Sequence, residues 1–135
     1  MEIKLESIHG SLNFKGTNDR GQTFQFSGSK ESVSPMESVL MAAAACSSID
    51  VEIFLVKMRQ EFSKIEVEVK GERVDAVPAV FSDIHLHYKI YGDVKPEKAK
   101  KAVTMSMEKY CSVSIMLQSS ITMTHSHEII SDGGT

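Results

Sequence analysis

Two cysteines are the residues whose chemistry stands out in this chain. Cys46 and Cys111 lie far apart in sequence, each on an apolar row of a predicted helix. Their spacing excludes a Cys-x-x-Cys redox motif and a zinc ribbon. Free cysteine is commonly a small buried hydrophobic residue, which is one interpretation of both positions. The other is a redox pair, because packing the two most apolar helices together can bring the sulfurs within reach of a disulfide.

Polar residues that follow Cys46 do not indicate a hydrolase. Ser47 and Ser48 lack the G-x-S-x-G turn on which α/β-hydrolases place their nucleophile. Asp50 lies one helical turn after Cys46 in an apolar stretch. We expect it to have a structural role, bonding the backbone or a basic side chain at a helix irregularity.

Two His-x-His pairs are the other candidate site. His85 with His87, and His125 with His127, each place two imidazoles on one face of a predicted strand, and four histidines can in principle bind a transition metal. His85 and His87 are expected on the wet face of their strand, however, and no carboxylate joins them at a recognisable ligand spacing. The sequence therefore predicts no metal site, and a histidine metal centre is kept only as a third alternative.

Two helices are predicted to carry the cysteines. Ser34, Pro35 and Glu37 form a helix start with a capping box, and the first helix is predicted over residues 34–60. Two apolar rows along its first half predict burial on nearly all sides. Pro96 opens the second helix, which is predicted as one element over residues 96–117.

Strands are predicted before, between and after these helices. Short strands separated by turns occupy residues 1–28, and two strands with alternating polar and apolar residues pair antiparallel within residues 63–91. The second of these two strands is predicted to turn four residues inward: Ile84, Leu86, Tyr88 and Ile90. A last strand is predicted over residues 120–128, followed by a frayed tail at 131–135. All 135 residues are expected to form one α+β domain.

Charge and hydropathy limit the partners. The net charge of −3 and the pI near 5.9 provide no basic field for a nucleic acid. No apolar run is expected to be long enough to span a membrane, and residues 1–10 do not resemble a signal peptide. We therefore expect a cytoplasmic protein with no membrane partner, in which the two cysteines are reduced at rest.

Three segments resemble the OsmC/Ohr family of osmotically induced and organic-hydroperoxide-resistance proteins, and the YhfA-like branch in particular. They are SPMESVLMAAAACSSIDVEIFLVKMR at 34–59, GER at 71–73 and EKYCSVSIML at 108–117. The resemblance covers nearly the whole chain. It implies an α+β fold in which two central helices are wrapped by antiparallel β-sheets. It also implies an intertwined homodimer with two active sites at the subunit interface.

The same resemblance implies a thiol-dependent peroxidase that acts on organic hydroperoxides or hydrogen peroxide in oxidative-stress defence. Cys46 would attack the peroxide and become a sulfenic acid, and Cys111 would resolve that acid to a disulfide. An external dithiol or lipoyl-type reductant would then reopen the disulfide. No bound cofactor is expected.

The scheme also needs a cation near Cys46, because only the thiolate is nucleophilic and an apolar helix disfavours it. In the well-studied peroxidase branch of the family, an Arg of the first hairpin supplies the cation, and a Glu ten residues before the first Cys orients it. Here Met36 stands at that position, and Glu37 is about 100° further round the helix. Arg20, Arg73 and Glu37 are therefore the candidates for the activating or orienting groups.

These departures from the family pattern leave a second class of function open. A dimer of the same fold can bind an apolar or sulfur-containing small molecule, or sense redox state, without catalytic turnover.

Overall fold

The computed structural model describes residues 1–131, which belong to two compact units, Met1–Val39 and Leu40 onward. Apart from Ser131, the predicted frayed tail lies outside the described residues. That all 135 residues form one domain stays a prediction. In chain order the elements are β1 (Lys4–Ile8), β2 (Asn13–Thr17), β3 (Thr23–Ser27), α1 (Pro35–Lys57), β4 (Glu61–Arg73), β5 (Phe81–Asp93), α2 (Pro96–Met105), a π-helical segment (Ser106–Tyr110), α3 (Ser112–Leu117) and β6 (Thr122–Ile130).

The first unit contains an antiparallel meander in the order β1–β2–β3, within the predicted range 1–28. Its register places Leu5, Gly16 and Phe24 opposite one another, so the two apolar side chains share one face of this sheet. Both side chains remain about half exposed, at 57% and 48%. The meander therefore presents an apolar face that its own strands do not cover.

Helix α1 begins at the predicted capping box. The side chain of Glu37 accepts a hydrogen bond from the Ser34 backbone N–H at 2.9 Å, and the Ser34 hydroxyl accepts one from the Glu37 N–H at 3.1 Å. These two bonds satisfy N–H groups that the first turn of a helix leaves without partners. The pKa of Glu37 is held below its usual value by hydrogen bonds that its carboxylate accepts from the Ser34 backbone and side chain.

One row of α1 is fully buried, and the opposite side of the helix is exposed. The buried row has i, i+4 spacing and consists of Ala43, Ser47, Val51 and Leu55. Away from this row, Met41 in the first half of the helix is 51% exposed, and Ile49, Ile53 and Val56 are 46% to 64% exposed. The prediction of burial on nearly all sides is therefore wrong for the single chain, because hydropathy does not say which chain covers an apolar face.

The prediction that no apolar run is long enough to span a membrane is wrong for α1. By length and composition alone, this helix is sufficient to cross a membrane. Its buried row includes Ser47, which hydrogen-bonds with Tyr88 of β5, so the helix packs on the sheet of the second unit. A core helix of a soluble protein satisfies the same length and composition criteria.

The second unit has a sheet in the order β4–β5–β6. Strands β4 and β5 pair antiparallel through a hairpin, and the predicted inward residues of β5 are fully buried: Ile84, Leu86, Tyr88 and Ile90. Strand β6 pairs parallel with β5, which corrects the expectation of purely antiparallel sheets. The helical segment between β5 and β6 provides the long crossover that a parallel pair needs.

Gly71 lies where the hairpin approaches α1 closely. A Cβ at this position would be 2.5 Å from Phe81 Cε1 and 3.1 Å from Leu40 Cδ2. The glycine of the GER segment therefore has a packing reason, since any side chain would displace the Phe81 ring.

The predicted second helix is interrupted. It is α-helical only over Pro96–Met105, continues as a π-helical segment, and resumes as α3 after Cys111, whose backbone is extended. The hydrogen bond that closes the π segment runs from the Cys111 N–H to the Ser106 carbonyl at 2.7 Å. Residues 110–114 are Tyr, Cys, Ser, Val and Ser, all weaker helix formers than Ala or Leu, so the break falls where local helix propensity is low.

Candidate functional site

The two cysteines occupy different environments. Cys46 is half-buried in the middle of α1, whereas Cys111 is fully buried between the π segment and α3. Both are free thiols. A small molecule from solvent can therefore reach the first sulfur more readily than the second.

The sulfur of Cys111 lies against the turn of α1 that precedes Cys46. Its Sγ donates a long hydrogen bond, 3.9 Å, to the carbonyl of Ala43. Burial raises the pKa of Cys111, Ser114 opposes that rise through hydrogen bonds, and the neighbouring Cys46 thiol adds to it. The structure thus brings together the two residues that the resemblance named as a catalytic pair.

Cys111 also caps helix α3. Its sulfur accepts a hydrogen bond from the Ser114 N–H at 3.4 Å, the position of an N-cap acceptor. The extended backbone of Cys111, with φ −73° and ψ 103°, is the usual conformation of an N-cap residue. The break in the second helix therefore positions the Cys111 thiol at the start of α3.

A cluster of buried hydroxyl groups lies beside the cysteines. Ser47, Tyr88 and Ser106 are all fully buried. The Ser47 hydroxyl contacts the Tyr88 hydroxyl and lies 2.9 Å from that of Ser106. The Ser106 hydroxyl lies 3.1 Å from the Ser47 carbonyl and 3.3 Å from Asp50 Oδ2. Three elements, α1, β5 and the π segment, are joined by this hydroxyl cluster.

The direction of these hydrogen bonds follows from the available protons. Ser106 has one hydroxyl proton, and both the Ser47 carbonyl and the Asp50 carboxylate can only accept it. Ser47 must then donate to Ser106, and Tyr88 must donate to Ser47. Burial raises the pKa of Tyr88 well above its usual value, so the phenol keeps the proton that it donates.

Sequence reasoning missed this cluster. Ser47 was considered only as a nucleophile, and Tyr88 only as an apolar core residue. The available signal was that three hydroxyl residues occupy positions that periodicity assigns to the core, where each needs a hydrogen-bond partner. The structural role expected for Asp50 is observed, although its partner is a serine of the π segment rather than the backbone or a cation.

The candidate activating groups have other partners. Arg20 belongs to the first unit, where its Nε donates to Gln22 Oε1 at 3.1 Å. Glu37 caps α1 as described. The Nε of Arg73 donates to the Ala79 carbonyl at 2.7 Å within the β4–β5 hairpin. In the second unit, up to Ser131, Arg73 does not hydrogen-bond to either cysteine.

The four histidines do not converge. The register of β5 and β6 places His85 and His87 on the outer face of the sheet and His125 and His127 on the face that carries the core residues. A site with all four imidazoles is therefore excluded by the pleat. Across residues 1–131, no group of three or more His, Cys, Asp or Glu side chains is arranged to hold a metal ion.

Two of these histidines form an outer-face ladder with β6, through side chains of Thr124, His85, Ser126, His87 and Glu128. His85 bonds to Thr124 Oγ1 at 2.7 Å and to Ser126 Oγ at 2.9 Å. His87 bonds to the same Ser126 oxygen at 2.6 Å and to Glu128 Oε2 at 2.6 Å. Both nitrogens of each ring are occupied, so the ladder has a structural explanation.

Comparison with known proteins places this arrangement in a family. A model for OsmC-like proteins matches residues 28–126. The chain is also 39% identical to Protein YhfA of Escherichia coli strain K12, over 96% of this chain and 98% of that protein. The chain belongs to the OsmC-like family.

Solved structures agree on the OsmC-like fold. A hypothetical protein from Aquifex aeolicus is 30% identical, with a TM-score of 0.89 over 98% of this chain and 97% of that one. The organic hydroperoxide resistance protein OhrB of Bacillus subtilis is 18% identical, with a TM-score of 0.66 over 94% of this chain and 96% of that one. The α+β fold implied by the resemblance is thereby confirmed, with one mixed sheet in place of an antiparallel one.

Proposed function

We propose that this OsmC-like protein is a thiol-dependent peroxidase that reduces organic hydroperoxides or hydrogen peroxide in oxidative-stress defence. The observation that carries the proposal is that the buried Cys111 sulfur lies 3.9 Å from the Ala43 carbonyl, on the turn of α1 that precedes the half-buried Cys46. The fold that the chain shares with a hydroperoxide resistance protein supports it.

The exposure of the two sulfurs supports a different role for each. Cys46, as a thiolate, attacks one peroxide oxygen, so that the O–O bond breaks and an alcohol or water leaves after protonation. The product is a Cys46 sulfenic acid. The Cys111 sulfur then attacks the Cys46 sulfur, and the hydroxyl leaves as water with the Cys111 proton. Cys111 cannot take the first role as readily, because its thiol is fully buried.

The cycle closes when an external reductant supplies two electrons. A dithiol, of the dithiothreitol or lipoyl type, exchanges with the Cys46–Cys111 disulfide and leaves as its own disulfide. The protein therefore needs no bound cofactor, and we place the cycle in the cytoplasm, where the resting thiols stay reduced. Arg20 or Arg73 is proposed as the cation that favours the Cys46 thiolate, with Glu37 as an orienting group.

We also propose that the working form is a homodimer. The exposed side of α1 carries Ile49, Ile53 and Val56 in adjacent turns, and an apolar surface of this kind marks an interaction site. The apolar face of the β1–β3 meander is a second surface that a partner subunit can cover.

One observation favours a non-catalytic alternative, in which the dimer binds a small molecule or senses redox state. Apart from burial, the groups that act on the Cys111 thiol are Ser114 and Cys46, and no cation is among them. A buried thiol with a raised pKa is a weak nucleophile, which suits the binding of a small molecule better than catalytic turnover.

The test is peroxide consumption with dithiothreitol as reductant. We expect the wild-type protein to consume cumene hydroperoxide or hydrogen peroxide catalytically and Cys46→Ser to lose all of this activity. Ser27→Ala, which removes a buried hydroxyl in the first unit, serves as the matched control. Equal rates for wild type and Cys46→Ser would refute the peroxidase function and leave the non-catalytic alternative.

A further inference from the structure

Ser106 makes two sets of hydrogen bonds, one toward each cysteine. Through its hydroxyl it bonds to Ser47, the residue that follows Cys46, at 2.9 Å to the hydroxyl and 3.1 Å to the carbonyl. Through its carbonyl it accepts the Cys111 N–H at 2.7 Å. A single residue therefore links the backbone next to Cys46 with the backbone of Cys111.

The bond from the Cys111 N–H to the Ser106 carbonyl determines which residue is buried at the end of the π segment. A π turn closes five residues on, rather than four, so it contains one residue more than an α-helical turn. Position 111 consequently takes the buried place that an α-helix would give to Tyr110. The exposures agree, since Cys111 is 0% exposed and Tyr110 is 55% exposed.

The first set of bonds fixes the π segment against α1. All the groups involved are buried, so water cannot replace a lost bond without cost. Asp50 Oδ2, one turn further along α1, lies 3.3 Å from the same hydroxyl. Both contacts attach Ser106 to the stretch of α1 that contains Cys46.

We propose that Ser106 is a positioning residue that holds the Cys111 sulfur against Cys46, and that it thereby sets how readily the two sulfurs form a disulfide. Its role in turnover rests on the proposed peroxidase function. Its effect on the thiol pair does not require peroxide. In the resolving step, the S–S bond forms as the S–OH bond of Cys46 breaks, and the Cys111 proton leaves with the hydroxyl as water.

The experiment is an equilibrium between the purified protein and a glutathione redox buffer, without peroxide. Two glutathione molecules reduce the protein disulfide to two thiols and become glutathione disulfide, so the ratio of forms gives the effective concentration of the two thiols. We expect Ser106→Ala to lower this value about fivefold or more, the factor that one net hydrogen bond represents. Ser47→Ala, which keeps the carbonyl acceptor for Ser106, should lower it less.

Ser27→Ala separates positioning from general stability. Ser27 is a buried serine whose hydroxyl, among residues 1–131, bonds to Ser29 and Glu31 of the first unit. We expect Ser106→Ala and Ser27→Ala both to lower the melting temperature. Of these two, only Ser106→Ala should lower the effective concentration of the two thiols. If Ser106→Ala does not fold, a decrease in Ser47→Ala that is absent from Ser27→Ala supports the same conclusion.

The inference is wrong if Ser106→Ala retains the wild-type effective concentration, or if it falls equally in Ser27→Ala. It is also wrong if the wild-type thiols form no intramolecular disulfide at any glutathione ratio. A protein that consumes no peroxide but shows the Ser106 effect would refute the proposed function alone. A peroxidase without the Ser106 effect would refute the positioning role alone.

Discussion

The Tyr88 hydroxyl donates a hydrogen bond to the hydroxyl of Ser47, the residue next to Cys46. Burial raises the pKa of Tyr88 above its usual value of 10.0, and the neighbouring Cys111 and Asp50 add to this rise. Because this phenol is buried, the stability of the fold depends on pH in the alkaline range.

We predict that the protein loses stability as pH rises above 10. The unfolded chain releases the Tyr88 proton near the usual pKa of 10.0, whereas the folded chain retains it. The unfolded state then binds fewer protons than the native state, so the free energy of unfolding falls with increasing pH. Tyr88→Phe should cost about 1 kcal/mol at pH 7, for the lost hydrogen bond, and flatten this alkaline fall. Urea unfolding at a series of pH values measures both, and parallel profiles would contradict the prediction.

Cys111→Ser should separate the first chemical step from the second. Without a resolving thiol, the Cys46 sulfenic acid persists and reacts with further peroxide. We expect at most slow turnover, together with a mass increase of two or three oxygen atoms that mass spectrometry assigns to Cys46. The double variant, which also carries Cys46→Ser, is the control and should show no such increase. A Cys111→Ser protein that turns over at the wild-type rate would exclude Cys111 as the resolving residue.

Charge on the exposed side of α1 should disrupt a homodimer. Ile53 is 46% exposed in the single chain, and we expect Ile53→Asp to shift the protein toward monomer, because an interface would bury the new carboxylate. Val77→Asp is the matched control, since Val77 is an apolar residue that is 100% exposed in the β4–β5 hairpin. Sedimentation velocity measures the shift. A wild-type protein that is monomeric at micromolar concentration would remove the dimer from the proposal.

Mildly acidic pH should also destabilise the fold. Burial lowers the pKa of His127 from its usual 6.5, and His125, Lys100 and His87 lower it further by repulsion. As pH falls through 6.5, the unfolded chain gains the His127 proton before the folded chain does, so the free energy of unfolding decreases. We expect His127→Gln to reduce this loss between about pH 7.5 and pH 5. Thermal melts across that range provide the measurement, and an unchanged slope would assign the acid sensitivity to other groups.

Local features of the fold were predictable from the sequence. The reciprocal bonds of Ser34 and Glu37 depend on residues three positions apart, so the capping box could be read directly. The buried residues of β5 followed from strict alternation, because a pleated strand sends every second side chain to one face. In both cases the deciding interaction repeats at short range.

The candidate site depends on contacts between distant residues, which is why less of it was predictable. The hydroxyl of Ser106, the first residue of the π segment, bonds to Ser47, fifty-nine positions earlier, and no local pattern encodes that contact. The proximity of Cys46 and Cys111 was likewise only a possibility in the residues, and the family resemblance supplied it. The exposure of Ile53 could not be foreseen, since an apolar stripe has the same pattern whether its own chain or a partner covers it.

In the outer-face ladder, the side-chain hydrogen bonds between β5 and β6 all run in one direction. Glu128 can only accept, so with both imidazoles neutral His87 must carry its proton on Nε2, and its Nδ1 must accept from Ser126. Ser126 then accepts from His85 Nε2, and His85 Nδ1 accepts from Thr124. Each ring is fixed as one tautomer by the Glu128 carboxylate, which lies two register positions from His87 and four from His85. Backbone pairing of parallel strands is slightly less stable than antiparallel pairing. Here the parallel pair also has a polarised row of side-chain hydrogen bonds, which runs along the strands and ends at the negative charge of Glu128.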